Sequence, residues 1–150
     1  MTVTQLPSVP EILVVEAGFP VEAQVVFAYW TQPTLLQQWW PEEAEIKAEL
    51  GGAYHLSWPA MHWNLRGYYT AFAPPTVLGF TWRWEHDEPE VPTRVVTVVL
   101  EQGAAGSTRL VLTHGPYTDT PTEQTIRNEH HLAGWLHFLE QLAGLLKGLC

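Results

Sequence analysis

At 150 residues the chain suits one compact domain, taken as residues 1–150, with a single sizeable core. Sixteen acidic residues against seven Lys and Arg leave a net charge of −9 and no basic run, so neither nucleic acid nor an anionic membrane is an expected partner. A hydrophobic share of 46% with 15% charged residues excludes a disordered chain.

The opening MTVTQLPSVP has neither a charged n-region nor an apolar h-region, so it does not read as a signal peptide. EILVVEAG (11–18) reads as a strand closed by Gly18. Pro20 then stands at a tolerated first helical position of PVEAQVVFAYW. Thr31-Gln32-Pro33 breaks this helix, and PTLLQQWW (33–40) starts a second, which Pro41 stops. The middle of the chain reads as strands: AEIKAEL, the Gly51-Gly52 turn, AYHLSW (53–58), HWNLRGYYTAF (62–72) up to Pro74-Pro75, and TVLGFTWRW (76–84). An acidic loop, EHDEPE (85–90), follows and reads as solvated surface, as do the acids at 42–49. TRVVTVVLE and STRLVLTH, joined by GAAGS, form a final hairpin. Thr120-Pro121-Thr122-Glu123 is a capping box that opens a helix running to about Lys147. The only cysteine, Cys150, allows no internal disulfide and stands where a prenylation motif does not place one. No apolar stretch approaches the ~20 residues that span a bilayer, and a cytoplasmic location is expected.

The last helix carries a histidine cluster, NEHHLAGWLHFLEQL (128–142). At ~100° per residue, Gln124, Asn128, His131, Trp135, Phe138, Leu139, Leu142 and Leu146 share one stripe, and His130 and His137 fall opposite. A helical metal pair wants i, i+4 spacing, whereas those two are seven apart, with Gly134 at the i+4 position of His130. No metal is therefore expected, and both rings are assigned to solvent. His131 instead joins the inward stripe, whose first half is polar and whose second half is apolar.

FPVEAQVVFAYWTQPTLLQQWW (19–40), Gly51-Gly52, Gly67 before an aromatic strand and Pro74-Pro75, LGFTW (78–82), STRLVLTH and Gly134-Trp135 occur in an order that resembles the START-like (SRPBCC, polyketide-cyclase or birch-pollen-allergen-like) superfamily. The resemblance is to its branch related to the C-terminal domain of the activator of the ninety-kilodalton heat-shock chaperone ATPase, and it spans about residues 11–147. Ala71 stands where that branch usually has an acid, and Ser107 splits its Gly-Thr pair. The resemblance implies an α+β helix-grip: a curved antiparallel sheet of about six or seven strands around the long C-terminal helix, with two short helices after the first strand and a cavity between sheet and helix. It also implies a hydrophobic small-molecule ligand and no cofactor.

With Leu78, Phe80, Trp82 and Trp84 facing inward, the neighbouring strands contribute Tyr54, Leu56 and Trp58, then Trp63, Leu65 and Tyr69, then Val96, Val98 and Leu100, and finally Leu110, Leu112 and His114. A bulge would turn Arg66 inward instead of outward. Eight tryptophans exceed what a sheet–helix contact needs and favour an aromatic-walled pocket. The expected wall is Trp39, Trp58, Trp63, Tyr69, Trp82 and Trp135, with His114, Asn128 and His131 orienting an aromatic or lipid-like ligand. Three alternatives stay open. One is a cyclase or hydratase using His131 or His114 as acid/base with Tyr69. Another is a co-chaperone that stimulates a chaperone ATPase. A homodimer that uses spare indoles at its interface is the third.

Overall fold

The computed structural model describes residues 3–149, so Cys150 and the expectations attached to it lie outside the described residues. Eight strands among these residues form one antiparallel sheet: β1 (Val3–Leu6), β2 (Leu13–Phe19), β3 (Glu43–Ile46), β4 (Ala53–Trp58), β5 (Trp63–Ala73), β6 (Val77–Trp82), β7 (Arg94–Gln102) and β8 (Thr108–Gly115). Their spatial order is β1-β2-β8-β7-β6-β5-β4-β3, so the last strand pairs with the second and β1 and β3 form the two edges of an open sheet. The sheet has eight strands where six or seven are expected, and the unanticipated β1 lies in the opening MTVTQLPSVP, which carries no strand pattern. None of the helices described is long and apolar enough to cross a membrane.

Two helices follow β2, and both are shorter than expected. The first, α1 (Ala23–Thr31), begins three residues after Pro20, and the second, α2 (Pro33–Leu36), stops four residues before Trp40. Strand alternation places the core as expected. Leu13, Val15, Leu110, Leu112, Val96 and Val98 are fully or almost fully buried on the face that meets the C-terminal helix, where Leu139, Leu142 and Leu146 lie at zero exposure.

The strand read at 62–72 takes the inward register Trp63, Leu65, Gly67, Tyr69. Its irregularity lies between Tyr69 and Ala71, not at Arg66, which stays outside and pairs with Glu85 at 3.0 Å. Gly67 is required by this packing. A Cβ there would stand 2.4 Å from Thr81 Oγ1 and 2.7 Å from both Thr81 O and the Tyr54 ring. Gly67→Ala is therefore expected to destabilise by about 1–3 kcal/mol, read as a lower denaturant midpoint at unchanged m-value.

The C-terminal helix is continuous but not uniform. It runs as α3 (Pro121–Thr125), a π-helical segment (Ile126–His131) and α4 (Leu132–Lys147). A π turn inserts one extra residue, so a count at ~100° per residue slips on passing through it. Arg127 consequently occupies the buried position instead of Asn128, and its guanidinium donates to Ser8 Oγ at 3.0 Å and to the Ile12 carbonyl at 2.8 Å. Those bonds tie the helix to the segment linking β1 to β2.

Candidate functional site

One end of the sheet–helix sandwich holds a cavity of about 590 Å³, within the ~300–1,000 Å³ typical of small-molecule sites. It forms where the last residues of β4 and β6 (Trp58, Trp82) and the first residues of β5 and β7 (Trp63, Arg94) meet the start of the long helix. Six of the chain's eight tryptophans line it: Trp40, Trp58, Trp63, Trp82, Trp84 and Trp135. Trp40 stacks on Trp82 with ring centres 6.0 Å apart and 11° between planes, and Trp135 tilts against both. Met61 and Trp63, at 48% and 43% exposure, stand at the mouth with Glu129 and His130. The buried faces of Trp40, Trp58, Trp82 and Trp135 form the interior.

Among these rings sits a compact polar network. Arg94, at 2% exposure, makes paired bonds of 3.0 and 2.7 Å to the Glu123 carboxylate and a 2.9 Å bond to the Pro116 carbonyl. Its guanidinium also lies 4.6 Å from the centre of the Tyr117 ring. The Tyr117 hydroxyl is 2.7 Å from His131 Nδ1, and burial pushes that phenol well above its ordinary range. His131 stacks on His114 at 4.4 Å and 9°, and His114 Nδ1 accepts the Trp135 indole N–H at 3.0 Å.

Burial, together with the nearby Arg94 charge and His130, lowers the His131 pKa to about 3. Burial likewise holds His114 well below 6.5, reinforced by His131 and Arg94. Both rings are therefore neutral at pH 7. Arg94 in turn holds the Glu123 carboxyl below its ordinary value, so this pair stays ionised. Glu123 serves the helix start only in part: its N–H donates to Thr120 Oγ1 at 3.3 Å, but its carboxylate reaches Arg94 and the Thr118 N–H.

Of the nine residues proposed from sequence, Trp58, Trp63, Trp82, His131 and Trp135 line the cavity. His114 lies directly behind that wall at zero exposure, in ring contact with Trp82, His131 and Trp135. Trp39 is buried elsewhere. It packs on Trp30 at 4.9 Å and donates to the Tyr29 carbonyl at 2.9 Å, and its neighbour Trp40 takes the cavity position because α2 ends too early to carry the helical phase forward. Tyr69 is buried against Tyr54, Phe72 and Phe80, away from the cavity lining. Asn128 is exposed and accepts from Arg127, which corrects its placement on the inward stripe; the π turn is the cause. His137 and His130 are both exposed, as expected, but His130 also borders the mouth.

Sequence reading missed Arg94, Tyr117 and Glu123. Arg94 was open to discovery, because it shares the inward phase of Val96, Val98 and Leu100 on β7. Tyr117 lies in the loop after β8 and carries no periodic signal.

The family described as "Activator of Hsp90 ATPase homolog 1-like protein" matches residues 20–147. No curated protein matches significantly in sequence. Among solved structures, protein MLL2253 from Mesorhizobium loti is 25% identical with a TM-score of 0.78, over 91% of this chain and 96% of that one. PFC0360w, an HSP90 activator from Plasmodium falciparum, is 21% identical with a TM-score of 0.73, again over 91% and 96%. CalU16 from Micromonospora echinospora is 19% identical with a TM-score of 0.75, over 97% of this chain and 86% of that one. The similarity to these structures supports the helix-grip fold observed here.

Proposed function

Because the chain belongs to the family of activator of Hsp90 ATPase homolog 1-like proteins, a START-like branch with the helix-grip fold, we propose that its cavity binds a flat, hydrophobic small molecule. One observation carries this reading: six indoles surround about 590 Å³ of space that the side chains do not fill. Protein interiors normally close-pack, so a cavity of this size walled by rings marks a site for a guest of similar chemistry. Aromatic walls favour offset stacking and edge contacts with a planar ligand, while Arg94 carries no spare charge because Glu123 neutralises it. The ligand is therefore read as apolar over most of its surface.

The test uses N-phenyl-1-naphthylamine, a neutral dye that accepts excitation energy from tryptophan. Tryptophan-sensitised dye emission should saturate at one equivalent with a dissociation constant of about 10 μM or tighter. A linear, non-saturating response, with no thermal shift for any planar hydrocarbon, would remove the reading.

Acid/base catalysis by His131 is the weaker alternative. A general base works best with a pKa near the working pH, and burial holds this ring at about 3. Action on a chaperone ATPase is supported by the family description and by the likeness to the Plasmodium falciparum activator across 96% of that chain. Stimulation of a purified Hsp90 ATPase that survives blocking of the cavity would favour this second reading over the first.

A further inference from the structure

We infer that the ligand meets His131 through a hydrogen-bond acceptor, a carbonyl oxygen, because the unpartnered polar atoms that face or back the inner cavity wall at His131, His114 and Trp82 are N–H donors. The inference rests on the proposed ligand-binding reading and specifies the polar feature of the guest.

The argument is one of hydrogen-bond direction. Tyr117 is buried at 2% exposure, and its hydroxyl has one partner among the described residues, His131 Nδ1. If Nδ1 carried the proton and donated to the phenol oxygen, the hydroxyl hydrogen would be buried without an acceptor. The phenol therefore donates, Nδ1 accepts, and a neutral His131 must carry its proton on Nε2. That nitrogen has no protein partner among the described residues, and His131 is a half-buried residue of the cavity lining, so its proton is left for a guest to accept.

His114 repeats the pattern one ring behind. Trp135 can only donate, so His114 Nδ1 is the acceptor and Nε2 holds the proton, buried and unpaired. The Trp82 indole N–H, with its ring 5.4 Å from His131 and 4.7 Å from His114, is also buried without a partner. Three N–H groups thus gather with no acceptor to share. Of the two carboxylates that line the cavity, Asp87 accepts from the Trp84 N–H and Glu129 is exposed at the mouth, and the Glu123 carboxylate is engaged by Arg94. Since Arg94 is itself neutralised, a neutral carbonyl suits this wall better than a carboxylate, which would enter an aromatic pocket with no cation to meet it.

Two measurements test the inference on the intact chain. Long-range ¹H–¹⁵N spectra at pH 7 report which imidazole nitrogen is protonated, and Nε2–H is expected for both His131 and His114; an Nδ1–H form of His131 would overturn the proposal. Displacement of N-phenyl-1-naphthylamine by three tricycles of one shape gives the second. Fluorenone, which only accepts, should bind about five- to tenfold tighter than fluorene, which does neither, and carbazole, which only donates, should be weakest. Tyr117→Phe releases the tautomer, so it should narrow the fluorenone-to-carbazole ratio, and the same spectra verify that the variant is folded. Fluorene binding as well as or better than fluorenone would overturn the acceptor inference while leaving the cavity reading intact. Failure of all three tricycles and of the dye to bind would overturn both.

Discussion

Glu123→Ala is expected to cost about 3–5 kcal/mol of folding stability, far more than a surface ion pair would. The reason is the partner it leaves behind. The Arg94 side chain is only 2% exposed, so removing the carboxylate strands an unpaired guanidinium inside the sheet–helix interface. The double replacement Arg94→Met with Glu123→Leu removes both charges and should recover most of that loss, short of roughly 1 kcal/mol for the Pro116 carbonyl left without its donor. Urea denaturation of Glu123→Ala and of the double variant measures this directly. A loss below about 1 kcal/mol for Glu123→Ala would show that the pair is solvated and does not organise the cavity floor.

Acid should unfold the protein earlier than its carboxylates alone would. An unfolded chain protonates its histidines as pH falls through 6.5, whereas His131 resists until about 3 and His114 lies well below 6.5. Over that window the unfolded state binds more protons, so stability present above pH 6.5 is lost as pH falls, at up to about 1.4 kcal/mol per unit for each ring. Glu123 adds a further loss only below its ordinary value of 4.5, since Arg94 holds its folded pKa down. Denaturant midpoints between pH 7 and 4 should therefore slope steeply, and His131→Phe should shallow the slope by about one ring's share. A flat profile above pH 4.5 would mean that the two histidines are hydrated.

Much of this architecture is readable because its cause is periodic. Alternation in 78–82, 96–100 and 110–114 gave both the inward face and the place of His114, and the 3.6-residue repeat gave Leu139, Leu142 and Leu146. What failed had a non-periodic cause. The four residues of β1, VTQL, are too few and too polar to show alternation, and they become a strand only by pairing with β2. The π turn at 126–131 is a change of backbone hydrogen-bond register that no count at ~100° can anticipate, and it cost the placement of Asn128 while concealing Arg127. Beyond the early end of α2, Trp39 and Trp40 take positions set by tertiary packing, so Trp40 lines the cavity in place of the Trp39 of the expected wall. Arg94 differs, since its phase on β7 was legible and only its charge argued against burial; the carboxylate that satisfies it lies 29 residues away.

Gly134 offers the most direct test of the claim that this cavity receives a ligand. It lines the cavity, and a Cβ built there meets nothing within 4 Å, so a larger side chain would project into the space assigned to the guest. Replacing a mid-helix glycine also favours the folded chain by about 1 kcal/mol. N-phenyl-1-naphthylamine titrated into Gly134→Leu should bind at least about tenfold more weakly than it binds the parent chain, while the thermal midpoint stays level or rises. Undiminished dye binding in a folded Gly134→Leu protein would contradict the central claim and place any ligand elsewhere.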